Sequence, residues 1–274
     1  MLFNAFLISL CVLLICCSLY FWLITPRILG RPDTKMLKIR FFAHRGLHDS
    51  KDCPENSMHA FQKAVEKGYG IEMDVQITKD GVPVVFHDDT LQRVCQKRGK
   101  VCEYTYRELQ QFRLFDSQEK IPTFREVLSM IKGKVPLIIE IKAYRKPWKV
   151  CRKVDRELKD YEGAYCVESF HTGALFWYRT HHRRILRGQL SSDFRKELGK
   201  ETLPLFSVHH LLVNFLGKPD FIAYNHKFKQ ERARRICRNL FRIPSAAWTI
   251  QSREDLKNAE KYFDVFIFEG FEPV

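Results

Sequence analysis

The order of hydrophobic and polar positions divides most of the chain into two alternating kinds of segment. Short apolar runs recur, and each is followed by a stretch in which apolar residues return every three or four positions. A short apolar run is typical of a buried strand, and the longer period is typical of a helix with one buried face. We therefore predict strands at residues 39–43, 71–77, 137–141, 164–167, 185–190, 221–224, 246–250 and 265–268.

This alternation of strands and helices indicates the fold class. Parallel strands joined by helices form sheets that are covered on both faces, and eight such units close into a TIM-type (β/α)8 barrel, an α/β fold. A further apolar run at 82–86 follows Lys79, Asp80 and Gly81, a turn signal that predicts a hairpin on the second strand. Helices are predicted at residues 56–67, 124–131, 148–161 and 252–262.

The first apolar stretch is different, because the residues from Leu2 to Ile24 include no charged side chain. As a helix this stretch would extend about 34 Å, enough to cross the hydrocarbon core of a bilayer. A signal peptide is the alternative, but it requires a basic segment before the apolar run and small residues at a cleavage site. Neither is present, so we predict a transmembrane anchor at residues 1–25, a basic linker at 26–37 and a barrel domain at 38–274.

Charge indicates the orientation of this anchor. Basic residues are concentrated just after the apolar stretch, at Arg27, Arg31, Lys35, Lys38 and Arg40. The positive-inside rule therefore predicts a single-pass protein of the cell membrane with its C-terminal domain in the cytoplasm. The nine cysteines, an odd number without disulfide or zinc spacing, agree with a reducing compartment.

The net charge of +14 bears on the partners of the protein. No nucleic-acid-binding motif accompanies the basic residues, so we predict no nucleic-acid partner, and nothing in the sequence identifies a protein partner. A basic surface beside an anionic inner leaflet accounts for the charge. Residues 227–242 predict an amphipathic helix, either an outer barrel helix or one docked on the leaflet. Residues 209–216 are apolar and predict either a lid over the barrel mouth or a buried helix of the barrel shell.

Two predicted strands contain charged residues where a buried strand should be apolar. Glu72 and Asp74 are two positions apart, as are Glu140 and Lys142, so each pair shares one face of its strand. A charge that faces the barrel lumen is costly unless it is paired or bound to a metal; the alternative register would turn these charges outward. Three carboxylates without cysteine or histidine favour a hard cation, so we predict Glu72, Asp74 and Glu140 as ligands of Mg²⁺ or Ca²⁺.

Two histidines directly follow predicted strands, where a barrel of this kind holds its catalytic groups. His44 follows the first strand, and His87 follows the hairpin strand. A histidine that titrates near neutrality serves as a general acid or base. Arg45 has the planar guanidinium that matches phosphate oxygens, and Lys142 offers a point charge to the same group.

These residues belong to a series of motifs in a fixed order. The series reads FAHRG at 42–46, PENS at 54–57, EMDV at 72–75 and DGVPVVFHD at 80–88, followed by EIK at 140–142, ESF at 168–170 and AWT at 247–249. In these motifs the chain resembles the glycerophosphodiester phosphodiesterase family, as a membrane-anchored bacterial-type member. The resemblance runs from about residue 41 to the C-terminus.

The resemblance implies a TIM-type barrel that uses a divalent cation to hydrolyse a glycerophosphodiester to glycerol 3-phosphate and an alcohol. It implies that His44 and His87 are the general acid and base. It also implies metal binding by Glu72, Asp74 and Glu140, and stabilisation of phosphate charge by Arg45 and Lys142. Water and the neighbouring glycerol hydroxyl both remain candidate attacking groups.

Three further residues each have two interpretations. Glu55 lies in the family's Pro-Glu-Asn motif, where it orients His44 or Arg45 or helps at the metal. Trp248 is either an apolar wall for the glycerol or head group or a packed core residue. We predict Glu55 and Trp248 as substrate-binding residues. Glu269 stands near the position where many family members have a Thr-Asp pair; it replaces that acid or lies on the surface, and we do not predict it as catalytic.

Two other functions fit parts of the sequence. The anchor and the apolar segment at 209–216 favour a lysophospholipase D-like activity, with a lysophospholipid in the membrane as substrate. A catalytically silent, membrane-tethered binding barrel is the alternative from another class. Such a barrel lacks one or more of the catalytic histidines or acids, and this sequence contains all of them.

Overall fold

The computed structural model describes residues 2–49, 52–144 and 146–273. The strands in these residues are β1 Phe41–Ala43, β2 Gly70–Ile77, β3 Pro83–Val85, β4 Leu137–Ile141, β5 Tyr165–Ser169, β6 Leu186–Ser191, β7 Phe221–Asn225, β8 Ser245–Ile250 and β9 Val265–Phe268. Strand β1 pairs in parallel with both β2 and β9, which closes eight parallel strands into a barrel. Strand β3 pairs antiparallel with β2 as the predicted hairpin. The TIM-type barrel is confirmed.

Helices cover the outside of the barrel and fill several of its loops. Those in the described residues are α1 Leu2–Ile24, α2 Met58–Glu66, α3 Gln92–Cys95, α4 Tyr106–Leu109, α5 Phe124–Ile131, α6 Pro147–Leu158, α7 Thr172–His181, α8 Phe194–Leu198, α9 Leu203–His209, α10 Asn214–Gly217, α11 Arg232–Asn239 and α12 Arg253–Ala259. Ser57, Thr123 and Ser252 cap α2, α5 and α12 by accepting a hydrogen bond from the backbone N–H three residues on. Helix α5 has the predicted bounds, and the other three predicted helices differ by up to three residues at an end.

Helix α1 coincides with the predicted anchor. Every side chain from residue 3 to residue 19 is exposed, and the helix is long and apolar enough to cross a membrane. Its last residue contacts the barrel, because Asn214 Nδ2 donates to the Ile24 carbonyl at 2.9 Å. Farther along, Arg27 Nη1 donates to the Arg183 carbonyl at 2.7 Å. Hydrogen bonds therefore hold the end of α1, and the residues that follow it, against the barrel.

The first strand begins two residues later than predicted. Residues Lys35–Ile39 form a 3-10 helix, and Arg40 has a φ of 66°, which interrupts the extended conformation before Phe41. This 3-10 helix places Leu37 in the apolar cluster of the barrel lumen. The prediction includes Ile39 in the strand because this residue is apolar. In the structure its side chain is exposed.

Alternate residues of the strands face two separate cores. Phe42 and Phe221 belong to a small apolar cluster in the lumen, whereas Met73 and Ile139 pack in the larger core between the strands and the helices. Because side chains alternate along a strand, the charged neighbours of Met73 and Ile139 point into the lumen. The predicted inward register of the charges is therefore confirmed.

The segment between β3 and β4 forms a third, smaller core. Its buried apolar residues include Phe86, Leu91, Leu109 and Ile121. The sequence pattern does not predict its helices α3 and α4, because four residues make about one turn and cannot display a helical period. The segment matters for the site because α3 carries Arg93 toward the barrel mouth.

The two segments with open interpretations both lie in the outer layer. Leu211 and Asn214 are buried, and α10 packs against α1 and α7, so residues 209–216 belong to the barrel shell and the lid interpretation is wrong. Helix α11 buries Ala233 and Cys237 against the barrel, as an outer helix does.

Gly188 of β6 generates a prediction about stability. A Cβ at this position would overlap the ring of Phe221, so Gly188→Ala forces the ring to move within a packed lumen. We expect a loss of about 1–3 kcal/mol in the free energy of unfolding, measured by urea denaturation of the full chain in detergent.

Two further variants check the cause of this loss. Lys257→Ala, on the exposed side of α12, is the control and should stay within about 0.5 kcal/mol of wild type. Adding Phe221→Leu to Gly188→Ala should cost less than the sum of the two single changes, because the smaller side chain relieves the overlap. Wild-type stability of Gly188→Ala would contradict the packing described here.

Candidate active site

Four acidic side chains meet in the lumen on three adjacent strands. Asp74 of β2 lies in register with Glu140 of β4, and Glu140 lies in register with Glu168 of β5. Glu72, two positions before Asp74, faces the same side of β2, and all four residues are at most 7% exposed. Glu72, Asp74 and Glu140 each place an oxygen within 4.8 Å of the others. The strand pairing therefore brings the three predicted metal ligands together.

Burial and mutual repulsion distinguish these carboxyl groups. Burial, together with the charges of Asp74 and Glu168, raises the pKa of Glu72 well above its ordinary value. Burial and the charge of Glu140 raise the pKa of Glu168 in the same way. Although burial opposes its ionisation, the positive charges around Asp74, that of Lys142 first, hold the pKa of Asp74 well below its ordinary value. Asp74 is thus the most firmly ionised member of a crowded acidic cluster.

Two cationic side chains lie within this cluster. Lys142 Nζ lies 2.8 Å from Glu140 Oε2 and 3.0 Å from Asp74 Oδ1. Although burial opposes it, these two carboxylates raise the pKa of Lys142 above its ordinary value. Arg45 Nε lies 3.4 Å from Asp74 Oδ2, and Arg45 Nη1 donates to Glu55 Oε1 at 2.7 Å. Lys142 and Arg45 therefore remain charged and neutralise part of the cluster.

The acidic residues fit a divalent cation. The donors are carboxylate oxygens, the ligands preferred by hard cations such as Mg²⁺ and Ca²⁺. Glu168 Oε2 is buried and has no hydrogen-bond partner among the residues that the structure describes. A cation would also offset the burial and the repulsion that together raise the pKa of Glu72. The cluster is thus able to hold a divalent cation on Glu72, Asp74 and Glu140.

His44 is held by an acidic residue from the far end of the chain. Its Nδ1 lies 2.5 Å from Glu269 Oε2, and its Nε2 lies 4.0 Å from Glu72 Oε2. Gln251 Nε2 donates to the other oxygen of Glu269 at 2.7 Å. Although burial opposes it, the hydrogen bond with His44 holds the pKa of Glu269 well below its ordinary value. Glu269 therefore positions His44, and its interpretation as a surface residue is wrong.

The turn that carries His44 depends on glycine. Gly46 has a φ of 84°, and a Cβ on it would lie 2.9 Å from the Ala60 backbone of α2. The next residue, Leu47, donates its N–H to the Ala60 carbonyl at 2.9 Å. The close approach fixes this turn between β1 and α2, which sets the direction of the imidazole.

His87 has a comparable carboxylate partner. Its Nδ1 lies 2.6 Å from Asp88 Oδ1, and Arg93 Nε donates to Asp88 Oδ2 at 2.8 Å. Arg93 Nη2 also donates to Glu55 Oε1 at 2.6 Å, the oxygen that accepts from Arg45. Glu55 therefore links the arginine beside His44 to the arginine that supports His87.

Most of the predicted site residues line one cavity of about 80 Å³ at the barrel mouth. Its walls are formed by His44, Arg45, Glu72, His87, Glu140, Glu168, Phe170, Leu190, Trp248, Thr249 and Ile267. The ring of Trp248 lies edge-on to Phe170 with centroids 5.6 Å apart. Its Nε1 is buried, with no hydrogen-bond partner in the described part of the chain. An adjoining pocket of about 410 Å³ is lined by His87, Lys142 and Tyr144, among others. Trp248 is therefore a wall of the cavity, and Lys142 faces its entrance.

Three acidic residues of this site are not among those predicted from the sequence. Glu168 has the same signal as the predicted ligands, a charge in a buried strand, and that signal is enough to find it. Asp88 directly follows His87, and its only signal is that position. Glu269 departs from the Thr-Asp pair of many family members, and no local pattern connects it to His44, 225 positions away.

Comparison with known proteins identifies relatives of the chain. The model of the glycerophosphoryl diester phosphodiesterase family matches residues 44–262. The chain is similar to a glycerophosphodiester phosphodiesterase of Bacillus altitudinis, with 33% identity over 185 residues that cover 62% of this chain and 74% of the relative. It is also similar to glycerophosphodiester phosphodiesterase 1 of Homo sapiens, with 29% identity over 160 residues. That match covers 54% of this chain and 48% of the human protein.

Solved structures are similar in fold. A phosphodiesterase of Oleispira antarctica, determined with the product sn-glycerol-3-phosphate, has a TM-score of 0.66 and 23% identity, and the match covers 84% of this chain and 92% of that one. A glycerophosphodiester phosphodiesterase of Thermotoga maritima has a TM-score of 0.64 and 24% identity, with 84% and 93% covered. At these identities the likeness supports the barrel fold.

The crowding of the acidic cluster generates a prediction about cation binding. Glu72→Gln removes one of the mutually repelling charges and one predicted ligand. In EDTA we expect this variant to unfold at or above the wild-type temperature. The stabilisation of wild type by Mg²⁺ or Ca²⁺, about 2.7 kcal/mol at a cation concentration 100 times the Kd, should be absent from the variant.

Thermal unfolding of the full chain with and without the cation measures both effects. Glu254→Gln on α12 is the matched control, because Glu254 is exposed and distant from the lumen. Full cation-dependent stabilisation of Glu72→Gln would contradict the assignment of Glu72 as a ligand.

Proposed function

The chain belongs to the glycerophosphoryl diester phosphodiesterase family, and from this membership we propose that it hydrolyses a glycerophosphodiester to glycerol 3-phosphate and an alcohol. The observation that carries the proposal is the arrangement of His44, His87 and the acidic cluster around one cavity. A catalytically silent binding barrel would lack one of these groups. The enzyme is therefore the better interpretation.

In this proposal the substrate phosphate lies between Arg45 and Lys142. Both side chains keep their charge, and both reach the cavity or its entrance. Glu55 holds the Arg45 guanidinium in place through the hydrogen bond at 2.7 Å. Trp248 forms the apolar wall against which the glycerol or head group packs, and its buried Nε1 is free to donate to a substrate oxygen.

The cation that we propose is Mg²⁺ or Ca²⁺, held by Glu72, Asp74 and Glu140. When bound, such a cation polarises a phosphate oxygen and stabilises the negative charge that develops there. Lys142 balances the charge of Asp74 and Glu140 from the other side. Glu168 adds a fourth carboxyl group to the same lumen, next to Glu140, and so favours the binding of a cation there.

The two histidines transfer the protons. Each has its Nδ1 paired with a carboxylate, His44 with Glu269 and His87 with Asp88, which leaves Nε2 as the atom that exchanges a proton with substrate. One Nε2 accepts the proton of the attacking oxygen, and the other donates a proton to the leaving alkoxide. The carboxylate partners stabilise whichever imidazolium forms and fix the direction of its ring.

Helix α1 is, in this proposal, a single transmembrane span that holds the barrel at the cell membrane. Its length and apolar composition support a span. The basic residues after it, beginning with Arg27 and Arg31, support a catalytic domain on the cytoplasmic side.

A turnover assay tests the proposed reaction. The full chain in detergent should release glycerol 3-phosphate from glycerophosphocholine, EDTA should abolish the release, and Mg²⁺ or Ca²⁺ should restore it. His44→Ala and His87→Ala should each lower turnover about 100- to 10,000-fold, because each removes a general acid or base.

The control for these variants is His59→Ala, which changes an exposed histidine on α2. It should retain wild-type turnover. Activity that persists in EDTA, or in either site-histidine variant with a native circular dichroism spectrum, would contradict the proposed mechanism.

Glu269 generates a separate prediction. Glu269→Gln keeps the size of the side chain but removes the charge that stabilises a protonated His44. We expect kcat to fall about 10- to 100-fold, with a smaller change in KM, because the group does not touch substrate. Glu272→Gln, exposed and three residues away, should behave as wild type; an unchanged kcat in Glu269→Gln would remove Glu269 from the mechanism.

A further inference from the structure

Helix α1 meets the barrel with a defined direction. Tyr20, near its end, lies in a groove formed by residues that follow β6 and β7, among them Asp193 and Glu231. Three residues beyond the helix, Arg27 N–H donates to the Pro219 carbonyl at 3.0 Å, just before β7 begins. From Tyr20 to Arg27 the chain therefore runs from the carboxyl ends of the strands toward their amino ends.

The rest of α1 consequently extends from the end of the barrel that carries the active-site mouth. Residues 3–19 are exposed over a length of about 26 Å, close to the roughly 30 Å of a hydrocarbon core. A bilayer that contains this part of the helix has its surface near Tyr20, level with the carboxyl ends of β6 and β7. Tyrosine is favoured at such an interface.

The groove beside Tyr20 has the charge expected at the surface of an anionic bilayer. It measures about 760 Å³. Its four basic lining residues, Lys196, Lys227, Lys229 and Arg232, outnumber its two acidic ones, Asp193 and Glu231. Clustered lysine and arginine next to a transmembrane helix attract anionic lipid head groups. Charge complementarity therefore favours contact between this side of the mouth and a membrane.

Residues 193–210, which we call the β6 loop, expose apolar side chains on the same side. Leu198 is 55% exposed, Leu203 78% and Phe206 41%. Two exposed basic residues are close to them in the sequence: Arg195 precedes Leu198, and Lys200 lies between Leu198 and Leu203. Exposed leucine and phenylalanine combined with basic residues are typical of segments that lie in the membrane interface.

An aromatic path connects the β6 loop to the catalytic cavity. The ring of Phe194, the first residue of α8, lies 6.0 Å from that of Phe170, and Phe170 lies 5.6 Å from Trp248 in the cavity wall. Aromatic side chains thus pack one against the next from the start of α8 to the wall of the cavity.

We propose that the active-site mouth rests on the bilayer that holds α1, with the β6 loop as the contact, and that the site takes its phosphodiester from that bilayer as a lysophospholipid. The inference rests on the hydrolase activity and the anchor proposed above. The phosphodiester enters the cavity while the apolar part of the lipid stays beside Phe194 and Phe170. Hydrolysis by water then breaks one P–O ester bond, leaves the phosphate on the glycerol moiety and releases the head-group alcohol.

Lipid quenching of tryptophan fluorescence tests the contact. The full chain, reconstituted in vesicles of phosphatidylglycerol and phosphatidylcholine, is compared with and without brominated acyl chains. The variants are Leu203→Trp in the β6 loop and Leu240→Trp as the matched control. Leu240 is also exposed, but it follows α11 at the amino ends of the strands. The emission that Leu203→Trp adds to wild type should be quenched, and the emission added by Leu240→Trp should not.

Turnover in the same vesicles tests the substrate class. The measured quantity is the ratio of head-group release from a lysophospholipid in the vesicle to hydrolysis of soluble glycerophosphocholine. Leu203→Ser should lower this ratio about tenfold, the loss expected when one leucine no longer leaves water. Leu240→Ser should leave the ratio at the wild-type value.

The outcomes separate this inference from the proposed function. Equal quenching of the two tryptophan variants, or none at Leu203→Trp, overturns the contact. Hydrolysis of glycerophosphocholine without hydrolysis of the lysophospholipid overturns the substrate class and leaves the hydrolase intact. No hydrolysis of either substrate by wild type overturns the proposed function, and quenching then still decides the contact.

Discussion

Glu72, Asp74, Glu140 and Glu168 place four acidic groups in one closed lumen, shielded from water, with Lys142 among them. Ionised groups in such a setting are costly unless positive charge lies close by. The register of β2, β4 and β5 is what brings the lysine to within 3.0 Å of two of these carboxylates. A slip of one residue would turn the charges outward and apolar residues inward, so the fold and the site depend on the same alignment.

The apolar half of the lumen complements this arrangement. Phe42 and Phe221 fill it, and each ring occupies space that a side chain at Gly70 or Gly188 would take. The amino ends of the strands are therefore densely packed, whereas the carboxyl ends hold the polar groups and the cavity. This division, a rigid base below a reactive mouth, is what allows a barrel to hold catalytic groups in fixed positions.

The two histidines differ in their surroundings although both pair with a carboxylate. The side chain of His44 is 16% exposed and faces the acidic lumen, whereas that of His87 is 31% exposed and borders the open pocket beside Tyr144. Helix α1 adds a direction to this asymmetry, because it leaves the barrel at the end where the mouth opens. The contacts around Ile24 and Asn214 thus set the direction of α1 relative to the mouth.

The sequence by itself determined the eight strands, the inward face of Glu72 and Asp74, the two histidines and the apolar helix. Each of these is indicated by a local period of apolar residues, a turn signal or a motif. Such local patterns can be read from the sequence because backbone geometry fixes the period of a strand and of a helix. Tertiary structure decided the pairing of Glu269 with His44, the place of Glu168 beside Glu140 and the direction of α1 relative to the mouth. The pairing of β4 with β5 sets Glu168 beside Glu140. His44 and Glu269 lie 225 positions apart in the chain, and the pairing of β1 with β9 that closes the barrel brings them within hydrogen-bonding distance, which no local pattern encodes.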